Sequence, residues 1–184
     1  MAAMAQGAYS GKGERMRQWP AIAFGMILVA GLWPIPAMAE RLEGELDGNE
    51  REWYILRQDN ESSATFTDVG DGEFLIDIVG FADPDGRRSR DSLSISMALK
   101  DGELLHYDVL NLIGTSAMPP VYTSEGADVR MTLGTFAVEG GVARVVGRVE
   151  GVLALQEALG DAPSLEEGID IAVAFDITAS RIEY

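Results

Sequence analysis

Residues 91–111 read DSLSISMALKDGELLHYDVLN, and this stretch decides the fold. Leu93, Ile95, Met97 and Leu99 alternate with Ser92, Ser94, Ser96 and Ala98. Such period-two alternation marks a strand with one buried and one wet face, because successive side chains leave a strand on opposite sides. Asp101-Gly102 follows at once and signals a reversing turn. Loop length then sets which residues meet. A two-residue loop would put His106 and Asp108 beside the apolar face of the first strand. A three-residue loop of Lys100, Asp101 and Gly102, with Gly102 left-handed, pairs Met97 with Leu105, Ile95 with Tyr107 and Leu93 with Val109. A one-residue slip turns every side chain over, so the three-residue loop is the expected one. The hairpin then has an apolar face and an outer face bearing Ser94, Ser96, His106 and Asp108.

Working upstream, residues 42–46 and 52–57 read as two short strands about the turn Asp47-Gly48-Asn49, with Trp53 and Ile55 on one face and Tyr54 and Leu56 on the other. A polar turn at 58–63 leads to a Thr-rich strand at 64–69, and Asp71-Gly72 marks the next reversal. Residues 73–81 (EFLIDIVGF) are apolar on both faces, as expected near a sheet centre. The charged loop 82–90 then enters the central hairpin.

Downstream, residues 114–128 form the least regular stretch, with Pro119-Pro120 unable to donate to a ladder. Residues 129–138 and 142–153 make a second hairpin about Gly140-Gly141, pairing Val138 with Ala143 and Phe136 with Val145. Met131 and Leu133 have the opposite parity to Phe136 and Val138, which a bulge at Gly134 would reconcile. Residues 154–159 (ALQEAL) are good helix formers before Gly160 and suit one short helix. Ser164 and Glu167 fit a capping box. The last strand, 169–178, alternates Ile169, Ile171, Val173, Phe175 and Ile177 with smaller or polar residues. This gives about nine strands joined by short turns. The expected fold is all-β, an antiparallel β-sandwich, with a β-barrel as the alternative.

Residues 1–39 stand apart. Lys12, Arg15 and Arg17 precede an apolar run from Ala21 to Leu32, followed by Pro34, Pro36 and Ala37-Met38-Ala39. A positive flank, a short apolar core and a small-x-small site describe a secretory signal peptide cleaved near Ala39-Glu40. The run is shorter than the ~20 residues of a spanning helix. The expectation is therefore a periplasmic or secreted protein, with residues 40–184 as a single domain and no stable membrane anchor. Removing the leader leaves 14 − 3 = 11 basic and 30 − 1 = 29 acidic residues, a net charge near −18. That field repels nucleic acid and anionic lipid, and it suits solubility, cations or a basic partner. The chain has no cysteine, which excludes a disulfide framework, a thiol nucleophile and thiolate zinc sites.

Few residues suggest chemistry. Ser96, His106 and Asp108 share one face of the hairpin and hint at a nucleophile, base and orienting carboxylate. No Gly-x-Ser-x-Gly elbow accompanies them, and a polar cross-strand group on a solvent face is the simpler reading. Asp83 and Asp85 before Gly86, and Asp68 with Asp71, supply alternating oxygens of the kind calcium takes. Arg87, Arg88 and Arg90 compete for the first pair, and no glutamate closes a loop. Trp53-Tyr54 after Gly48 resembles the N-terminal Gly-x-Trp strand of lipocalins, but Arg51 stands where that motif needs glycine, so no ligand is carried over. Asn60-Glu61-Ser62 is a glycosylation sequon by pattern. Residues 118–122 (MPPVY) are apolar and proline-stiffened, and suit a contact surface.

No catalytic residue, metal ligand or cofactor site is assigned on this basis. The expectation is a non-enzymatic binding or structural component of the cell envelope or secreted fraction, with another envelope or secreted protein as partner. A β-barrel carrier of a small apolar ligand is the alternative, and a hydrolase ranks third.

Overall fold

The computed structural model describes residues 40–58, 61–85, 90–116 and 118–182. The expected leader lies outside them. Eleven strands follow in order: β1 (Arg41–Leu46), β2 (Asn49–Ile55), β3 (Arg57–Gln58), β4 (Glu61–Ser62), β5 (Ala64–Gly70), β6 (Glu73–Phe81), β7 (Leu93–Lys100), β8 (Glu103–Leu112), β9 (Val121–Glu139), β10 (Val142–Gln156) and β11 (Ser164–Arg181). The fold is all-β, and the described residues contain no helix. Residues 154–156 continue β10, and 164–167 open β11, because both segments find ladder partners that outweigh their helical propensity.

Nine strands form one mixed sheet, while β3 and β4 make a small separate ribbon. In the large sheet each strand from β6 to β11 pairs antiparallel with the next, and the circuit then passes, still antiparallel, from β11 to β1, to β2 and back to β6. β5 shares the gap between β11 and β6, antiparallel to β6 and parallel to the end of β11. The expected layers are thus one sheet curled over a common core. The closure is uneven, with nine strands and one parallel contact, unlike an even up-and-down barrel.

The core is what the alternation demanded. Leu93, Ile95, Met97 and Leu99 are buried on β7, as are Ile171, Val173, Phe175, Ile177 and Ala179 on β11. Phe74 of β6 lies 5.0 Å from Phe136 of β9, ring to ring, and 6.4 Å from Phe66 of β5. These rings join facing parts of the curled sheet. Trp53 fills the region beside β6, and its indole N–H donates to the Asp91 carbonyl at 2.8 Å. Buried Ser92 and Asn111 anchor the same corner, with the Asn111 amide donating to the Ser92 carbonyl.

The central hairpin corrects its expected register. Asp101 (φ 52°) and Gly102 (φ 83°) form a two-residue turn, with Lys100 paired to Glu103 and Leu99 to Leu104. The ladder then shifts by one residue between Leu99 and Ala98, so Met97 faces Tyr107, Ile95 faces Val109 and Leu93 faces Asn111. A bulge at Leu105 restores the parity that the three-residue loop was meant to supply, and leaves Leu105 62% exposed. The two-residue turn is retained because its backbone twist matches that of the strands. Asp47-Gly48 and Asp71-Gly72 make the same left-handed pair. The second hairpin follows expectation: Val138 pairs with Ala143, Phe136 with Val145, and Gly134 is the extra residue where the register shifts.

Two joints of the circuit are short. β2 meets β6 through two residue pairs only, and β5 meets β11 through two. Between β1 and β5 the edge of β11 is covered by a side chain. Arg57 donates to the Thr178 carbonyl at 2.6 Å and to the Ser180 hydroxyl at 3.2 Å, and forms an ion pair with Glu40.

Candidate functional site

The hairpin register takes the serine, histidine and aspartate apart. Ser96 faces Asp108 across β7 and β8, while His106 faces Ala98. The Ser96 hydroxyl donates to Asp77 on β6 at 2.7 Å. His106 Nε2 and Asp108 Oδ2 lie 3.0 Å apart, with both side chains more than half exposed. A nucleophile must give its proton to the base, and here it gives it to a carboxylate on another strand. The three residues share a wet sheet face and no common pocket.

The acidic turns also have local duties. Asp83 accepts the Asp85 N–H at 3.0 Å, and Asp68 accepts the Gly70 N–H at 3.1 Å. Arg181 reaches Asp68 at 3.4 Å while lying over the Phe66 ring. Among the described residues no group of three or more Asp, Glu or His side chains could hold a metal ion. The rest of the expected loop at 86–89 and Asn60 of the sequon lie outside the described residues.

The 118–122 segment is not a loop throughout. Val121 is buried and opens β9, and Tyr122 packs against the core, leaving Met118 exposed. β9 begins well before its expected start at 129 because residues 121–123 pair with both β8 and β10.

A feature unread in the sequence is the outer face of the first hairpin. The turn at Asp47-Gly48 sets Glu45 opposite Glu50 and Glu43 opposite Glu52. Ala172 and Ala174 of β11 lie alongside as a low floor, bounded by Arg148, and the whole is an open, polar depression of about 770 Å³. Arg41 pairs with Glu43 at 3.0 Å and approaches Glu52 at 3.5 Å. Glu52 also accepts the Tyr54 hydroxyl at 2.6 Å, which holds that phenol above its ordinary pKa. The signal was present: a two-residue turn in EGELDGNERE pairs the glutamates two by two.

Across β10 and β11, Arg144 makes a two-point contact with Asp176 at 2.9 and 2.6 Å. Hydrogen bonding from the guanidinium holds the Asp176 carboxyl below its ordinary pKa, against a smaller opposing effect of desolvation. A depressed folded-state pKa stabilises above the unfolded value and is lost as pH falls through the folded one. In a carboxyl NMR titration, Asp176 should therefore titrate at lower pH than in Arg144→Gln. Stability at neutral pH should hardly differ, since exposed pairs contribute little.

The sheet is incomplete at one further joint. β8 and β9 pair only at Leu110–Thr123, Asn111–Tyr122 and Leu112–Val121. Just beyond, side chains take over: the Ser124 hydroxyl accepts the Val109 N–H at 2.8 Å, and the Tyr107 hydroxyl donates to the Val129 carbonyl at 2.8 Å. Past that point no described strand pairs with the outer edge of β9 as far as Glu139, nor with that of β8 back to Glu103. No protein-family model, curated protein or solved structure matches the chain. The seam's inner flanks are partly exposed, at Leu104 and Tyr107 on one side and Leu133 and Phe136 on the other. Sequence alone gave no sign of it, because strand length does not reveal which edges meet.

Proposed function

We propose that the chain is an exported, non-enzymatic β-protein that serves as a binding or structural component of the cell envelope or secreted fraction, with another protein of that compartment as its partner. The observation that carries this reading is the engagement of Ser96 with Asp77 on a solvent-facing sheet. It turns the best candidate nucleophile away from the only histidine among the described residues, His106. Export rests on the composition of residues 1–39.

Carriage of an apolar ligand is the weaker reading. A carrier needs an empty interior, and here inward positions are taken by Trp53, Phe66, Ile76, Ile78, Val145 and Phe175, all nearly or fully buried. The depression over the first hairpin is instead open, polar and on the outer surface.

Assayed against ester and glycoside substrates, the purified chain is expected to show no turnover above buffer. Ser96→Ala and His106→Ala should leave that background unchanged. Turnover abolished by either substitution would sink the reading.

A further inference from the structure

The unpaired seam between β8 and β9 has a defined chemistry. Tyr107 turns to the Val129 carbonyl, which therefore points away from β10. Alternation in an antiparallel ladder gives Met131 and Leu133 the same orientation. Counting back from the closing pair Glu139–Val142, and across the bulge at Gly134, Phe136 and Val138 also aim their amides at the seam. With the Val129 carbonyl already taken by Tyr107, the four residues Met131, Leu133, Phe136 and Val138 present main-chain groups outward in a row, and such a row is a template for another strand.

Charge selects the occupant. β8 and β9 carry Glu103, Asp108, Glu125, Asp128 and Glu139 against one guanidinium, Arg130. His106 is already in contact with Asp108. A second copy of this chain would bring the same acidic edge and a further net charge of −16, and like charges brought together oppose pairing. An extended basic segment would be attracted. Side chains on one face of that segment would lie over the partly exposed Leu133 and Phe136, and those on the other would meet the carboxylates. The pattern that fits is alternating apolar and basic.

We propose that the β8–β9 seam binds an extended, basic polypeptide segment of a partner protein by strand addition, with main-chain bonds to β9 and charge complementarity to both flanks. This rests on the reading of the chain as a binding component and names the partner chemistry.

The test is a titration of the ¹⁵N-labelled chain with a synthetic peptide of alternating Lys and Val, about ten residues long to span the seam at ~3.3 Å per residue. The expected result is saturable binding that slows amide exchange at Met131, Leu133 and Phe136, while a Glu-Val peptide does not bind. N-methylation of alternate peptide amides should weaken binding by about tenfold, since main-chain bonds are lost and charge is kept. The proposal is overturned by absence of binding, by equal binding of the N-methylated peptide, or by shifts confined to the glutamates at 43–52. Protection of the same amides in the free chain, rising with concentration, would also overturn it in favour of self-association. Enzymatic turnover in the substrate assays would instead remove the functional reading and leave the peptide result standing.

Discussion

Trp53→Ala is expected to destabilise the folded chain by about 4 kcal/mol, the range for losing a large aromatic from a packed core. The side chain is 1% exposed, and its loss removes both ring packing and the indole bond to Asp91. That bond ties β2 to the segment entering β7, and Asp91 is itself bonded through its N–H to the Leu112 carbonyl. The packing is tight on the far side as well, since a Cβ on Gly80 would lie 2.6 Å from the Trp53 Cβ. β2 reaches β6 through only two residue pairs, so little main-chain bonding remains to hold the corner. Against a total stability of about 5–15 kcal/mol, the variant should unfold at markedly lower denaturant. Trp53→Phe keeps most of the apolar volume and loses the donor, so it should cost about 1–3 kcal/mol. Urea unfolding followed by far-UV circular dichroism measures both. A midpoint for Trp53→Ala within error of the parent would mean that Trp53 is not central to the core.

Much of this fold was legible because its signals are local. Asp47-Gly48, Asp71-Gly72 and Asp101-Gly102 each announce a reversal, and all three adopt the left-handed pair of a two-residue turn, at the central hairpin in place of the expected three-residue loop. The bulge at Gly134 was forced by a parity clash within one strand. The central hairpin shows the limit of the same logic. Parity demanded one extra residue, but did not say whether it would sit in the turn or on the strand. The structure puts it at Leu105, which moves Ser96 from His106 to Asp108.

Longer-range features were not legible. Helical composition at 154–159 yields to pairing with Tyr122 and Ser164, which only the assembled sheet provides. The commitment of Ser96 to Asp77 depends on β6 lying beside β7, and the seam depends on where β8 and β9 part. The glutamate array was an intermediate case. Its pairs follow from one turn, but the alanine floor comes from β11, more than a hundred residues away in sequence.

Two glycines separate backbone strain from backbone collision, and Gly151→Ala should have the larger effect. Gly48 has φ 69° with nothing within 4 Å of an added Cβ, so alanine there is strained but unobstructed. A cost of about 1 kcal/mol is expected for a left-handed residue in a turn. Gly151 has φ 138°, and its Cβ would lie 2.0 Å from the Asp128 carbonyl oxygen and 2.8 Å from the Val129 Cα. Neither atom belongs to a side chain that can turn aside. β9 would have to move off β10 by nearly an ångström where four residues, 124–127, already loop out opposite Leu153. That displacement would also pull on Ser124 and Val129, which hold the start of the seam through Val109 and Tyr107. Gly151→Ala should therefore cost about 3 kcal/mol or more, as strain and lost ladder bonds add. It should also speed amide exchange at Val109, which Gly48→Ala should not. Equal midpoints for the two variants in urea would show that β9 can shift freely at this point, and that the seam is not held by the contact between Gly151 and Asp128.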